Sequence, residues 1–267
     1  MKQISWILQK NLIDAMTLEG LKRATLLDNT DYQEVYIVPF SEDLPFVISG
    51  EKNNVIYGTT SLVMNAAANQ DYKDAVFYND EQFQMKVYLD KWNTKMLNYD
   101  ARIVEIYKFI NESHLDDEQW FIRPNEDTKS FTGLVAAFSE FKEMANNALG
   151  GTPYFQKESL ILVSKPKHIE KEWRNFIVDG TVVSSSRYCV NRQRSIDNRD
   201  IPCDMVRFAE ECCKEFMPHD VFVMDVALCE GQYFIVECNC FNDTGFYDHD
   251  IFTVVKSVNE YMRKKQG

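Results

Sequence analysis

The sequence predicts a small α/β domain followed by a larger α+β domain, and three observations carry that expectation. In the amino-terminal part, strand-length apolar segments alternate with segments of helical period, the pattern of a small parallel sheet. In the carboxy-terminal part, strand segments come in adjacent pairs. Residues 172–178 and 181–188 meet at Asp179-Gly180, and residues 221–228 and 233–240 flank Glu230-Gly231-Gln232, so antiparallel hairpins are expected. Between the two parts, residues 80–113 are charged and helical in pattern and read as a connection, which puts the expected division at 1–116 and 117–267.

Composition bounds the possibilities. A chain of 267 residues with 45% hydrophobic and 26% charged residues is globular and long enough for a substantial core. A formal net charge of −12 excludes a general nucleic-acid binder, which needs clustered Lys and Arg to neutralise phosphates. All seven cysteines lie from Cys189 onward, and an odd number cannot pair completely within one chain. With no signal-peptide pattern, reduced thiols in a cytoplasmic protein are expected. No run approaches the ~18 apolar residues of a membrane span.

Taken in order, residues 4–8 read as a strand. Residues 12–27 read as a helix, with Leu12, Met16, Leu21 and Leu27 in its apolar stripe. A strand is expected at 34–40 and another at 55–57, leading through Gly58-Thr59-Thr60 into a helix from Ser61. This region carries no motif tied to chemistry.

Trp120-Phe121-Ile122-Arg123 is a short strand closed by Pro124, and a polar loop with Lys129, Thr132 and Gly133 follows. An amphipathic helix is expected at 134–147, with Leu134, Phe138, Phe141 and Met144 on one side. Strand, loop, helix makes a plausible phosphate cradle, although the loop lacks both common glycine-rich nucleotide motifs and also fits an ordinary surface loop. Gly150-Gly151-Thr152-Pro153 breaks the chain before a strand at 160–164, LILVS. In the hairpin that follows, Arg174 and Arg187 sit near the strand ends remote from the turn, and Glu172 shares a face with Arg174. Arginine suits bidentate recognition of phosphate or carboxylate, while two exposed arginines paired with carboxylates are the plainer alternative. Residues 190–200 read as a polar loop with three arginines, and helices are expected from Pro202 to 216 and over 251–264.

The most informative stretch is 221–247, VFVMDVALCEGQYFIVECNCFNDTGFY. Alternation puts Phe222, Met224, Val226 and Leu228 on one face, with Phe234, Val236 and Cys238 on the matching face of the partner strand. That face belongs to a core, and it also takes up Cys238 and Cys240, so a zinc reading of Cys-x-Cys is set aside. The opposite face carries Asp225, Glu237 and Asn239. With a three-residue loop, Asp225 lies directly across from Glu237, and opposed carboxylates need a cation between them. Three hard oxygen donors suit Mg²⁺, which commonly takes one or two carboxylates and completes its shell with water and phosphates.

The ordered set of WFIRP with its lysine-containing FTG loop, the LILVS strand, EWRNFIVDG with a following arginine, and MDVA…FIVECN resembles the ATP-grasp fold. The resemblance covers residue 120 to the carboxy terminus and is similar in detail to a clade of phages and bacteria named for two arginines and a lysine. It implies ATP clasped between two α+β subdomains. Arg123 stands where many ATP-grasp enzymes have a lysine near the α- and β-phosphates, and Lys129 would be the clade's lysine. The resemblance further implies that Thr132, Gly133, Val163, Ser164 and Glu172 contact the nucleotide. Arg174 and Arg187 would be the two catalytic arginines, and Asp225, Glu237 and Asn239 the magnesium ligands. The implied activity is an ATP- and Mg²⁺-dependent ligase that joins a small-molecule or peptide carboxylate to an amine through an acyl phosphate. A kinase using the same site, and a non-catalytic phage-type interaction protein with a vestigial ATP site, remain as alternatives.

Overall fold

The computed structural model describes residues 3–38, 41–50, 52–127, 130–149, 151 and 155–265. In the amino-terminal part, β1 (Ile4–Gln9), α1 (Ala15–Leu27), β2 (Asp31–Val35), β3 (Asn53–Tyr57) and α2 (Thr60–Ala68) build a three-stranded sheet in the order β2-β1-β3. Both pairings are parallel, and every residue of the central β1 is buried, as expected where helices cover both faces. Helix α1 begins at Ala15 because the Asp14 carboxylate accepts from Thr17 N at 2.8 Å. Of the stripe expected for α1 only Leu21 is buried; Leu12, Met16 and Leu27 are exposed, and Leu18, Leu21 and Ala24 face the core. The reason is the neighbouring carboxy-terminal helix, whose Ile251 approaches so closely that a Cβ on Gly20 would lie 2.5 Å from it. Strand β2 stops at Val35, and Phe40, at the end of the expected strand, lies outside the described residues.

Helix α3 (Met85–Trp92) leads into a second unit of β4 (Arg102–Glu105), α4 (Ile106–Ile110), β5 (Gln119–Pro124), β6 (Leu134–Ala137), α5 (Phe138–Ala148) and β7 (Leu160–Ser164). Its sheet is antiparallel in the order β4-β7-β5-β6. Two expectations change here. Residues 101–110, read as helical connection, hold a strand that pairs with β7, so this sheet begins before residue 116. Residues 134–137, read as the start of a helix, extend instead along β5, whose edge needs a partner; α5 starts only at Phe138.

The third unit contains β8 (Lys171–Val178), β9 (Thr181–Val190), β10 (Gln193–Asp197), α6 (Cys203–Glu215), β11 (Val221–Cys229), β12 (Gln232–Cys240) and α7 (Ile251–Lys264). Its antiparallel sheet runs β10-β9-β8-β11-β12. Asp179-Gly180, Asn191-Arg192 and Glu230-Gly231 each have positive φ at both residues, the geometry of two-residue type I′ turns. The stretch 190–200 is therefore largely a hairpin arm rather than a loop. No helix among the described residues is long and apolar enough to cross a membrane.

The last turn holds two residues, not three, since Cys229 opposes Gln232. Asp225 still pairs with Glu237 because β12 carries one extra residue, Val236, between the pairs Val226–Ile235 and Asp225–Glu237. On the turn side of this bulge the faces are the reverse of those expected. Ile235, with Tyr233 beside it, joins Met224 and Val226 in the core, while Phe234 and Val236 turn to the other face with Ala227 and Cys229.

Beyond β12, Asn242 is fully buried and fastens this unit to the amino-terminal sheet. Its side chain donates to Ile56 O and accepts from Phe77 N at 2.7 Å, and its own carbonyl accepts from Gly58 N at 2.9 Å. Asn242 is thereby committed to this junction.

Candidate active site

Three neighbouring strands present a single polar row: Arg174 on β8 opposes Asp225 on β11, which opposes Glu237 on β12. Arg174 grips Asp225 with both ends of its fork, Nε to Oδ1 at 2.9 Å and Nη2 to Oδ2 at 2.7 Å. Asn239 Nδ2 lies 3.5 Å from Asp225 Oδ2. From the facing sheet, Arg123 on β5 reaches across to pair with Glu237 through Nη2. The opposed carboxylates do have cations beside them, but each has its own arginine. Asp225 is 1% exposed. Burial pushes its carboxyl up to about 6, with Glu237 and Glu172 adding to the effect and Arg174 opposing it. Arg174 is also buried and Arg123 half-buried, yet their partner carboxylates hold both guanidinium pKa values above the ordinary one.

Together these residues wall a cleft of about 550 Å³ between the second and third sheets, within the usual range of ~300–1,000 Å³ for small-molecule sites. Arg123, Arg174, Asp225, Glu237, Thr132 and Gly133 all line it, as does Glu172, which accepts from Tyr188 OH at 2.8 Å. Gly133 fits closely here, since a Cβ would meet Arg123 Cβ at 3.3 Å and the Phe121 ring at 3.4 Å. Asn239 borders an adjoining cavity of about 210 Å³ that shares Arg123 and Glu237 with the cleft.

Other expected residues are not brought to the cleft. Arg187 opposes Trp173, not Arg174, and so points to the far face of the sheet, where it pairs with Asp200 and donates to Ser195 Oγ at 3.1 Å. The pairing slips by one between Glu172 and Trp173, leaving Tyr188 as the extra residue. Tyr188 is the one that lines the cleft, with Arg174 Cζ 5.7 Å from its ring. Val163 is buried in the core of the second sheet, and Ser164 is turned to Asn98, donating to Oδ1 at 3.0 Å. Lys129 lies outside the described residues.

Sequence reasoning missed Leu97, Ile169 and Val236, which form an apolar side of the cleft, and Lys167, Arg192 and Tyr247 at its rim. Tyr247 holds φ at 47°, stacks on Tyr188 with centroids 5.4 Å apart and lies under Arg174 at 4.8 Å. The position of Tyr247 within seven residues of Cys240, at the end of the strand that carries Glu237 and Asn239, was the available signal.

The donor chemistry fits both groups that the fold implies. Asp225, Glu237 and Asn239 are hard oxygen donors with two carboxylates among them, matching Mg²⁺. Arg123 Nε is buried and has no hydrogen-bond partner among the described residues, as expected of a donor awaiting an anion such as phosphate.

Solved structures similar to this chain in fold include several ligases. The D-alanine–D-alanine ligase from Bacillus anthracis is 12% identical, with a TM-score of 0.60 and 100% of each chain covered. The D-cycloserine synthetase DcsG is 9% identical, with a TM-score of 0.64 over 96% of this chain and 99% of the other. The ATP-grasp ligase PsnB, solved with a minimal precursor, is 10% identical, with a TM-score of 0.59 over 99% of this chain and 100% of the other. No curated protein matches the sequence. A family model for the ATP-grasp domain, R2K clade family 3, matches residues 67–258. The chain belongs to the ATP-grasp domain family, R2K clade family 3.

Proposed function

We propose that the protein is an ATP- and Mg²⁺-dependent ligase that couples a carboxylate to an amine through an acyl phosphate. The observation that carries this reading is the row Arg174–Asp225–Glu237–Arg123, buried at its centre, at the wall of a cleft of nucleotide size. Asp225, Glu237 and Asn239 would hold the magnesium. That ion would supply positive charge to offset the phosphates.

Arg123 and Arg174 offer guanidinium forks that phosphate oxygens can share with the two carboxylates, so phosphate enters a site where positive charge is already desolvated and fixed. A substrate carboxylate oxygen attacks the γ-phosphorus and ADP leaves; the amine nitrogen then attacks the acyl carbon, phosphate leaves, and the amine proton passes to solvent. Arg174 stabilises the transferring phosphoryl group. Leu97, Ile169 and Val236 form an apolar wall suited to the adenine ring. Arg187, held on the far face by Asp200 and Ser195, has a positioning role for β10 in this scheme.

ADP release is expected to require Mg²⁺ and to vanish in Asp225→Ala and in Glu237→Ala. With hydroxylamine as the trap and a mixture of amino acids as acid donors, hydroxamate should form with ATP and not without it. Calorimetry that detects no ATP binding to the wild-type protein rules the proposal out.

A further inference from the structure

A second concavity, about 1090 Å³, lies between α2 and the ends of β5 and β7. Its walls are of two kinds. Met64, Ala67, Tyr78 and Leu160 give apolar surface, while Asp80, Glu81, Glu126 and Glu158 give four carboxylates. No lysine, arginine or histidine lines it among the described residues, and none of the four carboxylates is ion-paired to a described cation. The partners they do have are neutral: Asp80 accepts from Tyr78 OH at 2.9 Å and Glu126 from Asn125 Nδ2 at 3.0 Å. This contrasts with the catalytic cleft, where Asp225 and Glu237 are each matched by an arginine.

The groove also adjoins the cavity beside that cleft. Glu126 borders both the groove and the 210 Å³ cavity walled by Arg123, Glu237 and Asn239. We propose that the groove docks a basic peptide, which makes a Lys- or Arg-bearing chain the substrate class of the ligase; this rests on the ligase reading above. Apolar wall and acidic rim together match long basic side chains, whose methylene stems cover apolar surface while the charged heads reach carboxylates. A volume at the upper end of the range for small-molecule sites, ~1,000 Å³, favours a chain over a small polyamine.

The test uses the whole protein and a fluorescent decapeptide of alternating Lys and Ala, with binding followed by anisotropy. Substituting Asp80→Asn, Glu81→Gln, Glu126→Gln and Glu158→Gln together should weaken binding at least tenfold. Removing four exposed carboxylates elsewhere, at Glu143, Glu211, Glu230 and Glu260, alters net charge equally and should change binding less than twofold. Equal losses in the two sets overturn the proposal, as does spermidine binding as tightly as the peptide. Carbodiimide cross-linking of the peptide to wild-type protein needs no variant and should couple its lysines to the four groove carboxylates; coupling spread evenly over the acidic surface overturns it. Failure of the ligase reading is separately visible: the peptide would bind while no Mg²⁺-dependent ADP forms.

Discussion

Replacing Arg174 with methionine keeps an unbranched apolar stem and removes the charge and both hydrogen bonds to Asp225. The Arg174 side chain is 11% exposed and that of Asp225 1%, so what remains is a carboxylate stranded in the sheet opposite Glu237. Breaking a buried pair by removing one member typically costs about 3–5 kcal/mol. We take about 3 kcal/mol at pH 7.5, because Asp225 can escape by taking a proton. The pH dependence fixes the sign. Burial already holds the Asp225 pKa above its unfolded value, and losing Arg174 raises it further, so the variant's deficit grows as pH rises through that pKa and shrinks toward pH 5. In urea unfolding followed by circular dichroism, Arg174→Met should lose about 3 kcal/mol, roughly 6–12 °C in thermal midpoint for a chain this long. The double variant Arg174→Met/Asp225→Asn should recover most of that loss. Millimolar MgCl₂ should raise the midpoint of Arg174→Met more than that of the wild type, since a metal at Asp225 replaces the lost cation. A loss below about 1 kcal/mol, or a double variant as unstable as the sum of its singles, refutes the electrostatic account of this pair.

Two further outcomes follow from buried polar groups. Asn242→Ala orphans Phe77 N and Ile56 O at once, so a loss of about 3 kcal/mol in urea unfolding is expected; a change below about 1 kcal/mol would show that water replaces it. His249 is buried against Phe176, with Nδ1 2.8 Å from Ser184 Oγ, and burial and the nearby Arg174 push it down to about 3. Its folded pKa lies below the unfolded ~6.5, so its contribution is intact above that pH and is lost as pH falls toward 3. Between pH 7.5 and 4.5, His249→Phe should lose about 2 kcal/mol less stability than the wild type, and parallel pH profiles would exclude His249 as a source of acid sensitivity.

Much of this was legible in the sequence where a period could be read. Alternation along 221–240 put Asp225, Glu237 and Asn239 on one face, and Asp179-Gly180 set the β8–β9 turn that presents Arg174. Bulges defeat that kind of reading, because one extra residue leaves no compositional mark. The slip that puts Tyr188 in the cleft and Arg187 behind it is such a case. Residues 134–137 were misread for a different reason: their spacing is helical, and only the open edge of β5, a tertiary demand, draws them into a strand. The cleft wall of Leu97, Ile169 and Val236 comes from three separate segments, each unremarkable by itself.

The extra residue in β12 has a consequence for comparing chains. Counted back from its two-residue turn as a regular hairpin, the strand would set Val236, not Glu237, across from Asp225. Deleting Val236 would leave every other pairing in place, so a relative one residue shorter here would still set a carboxylate across from Asp225. Aligning such a relative calls for a gap at position 236, and numbering from the turn would set a valine where the glutamate belongs.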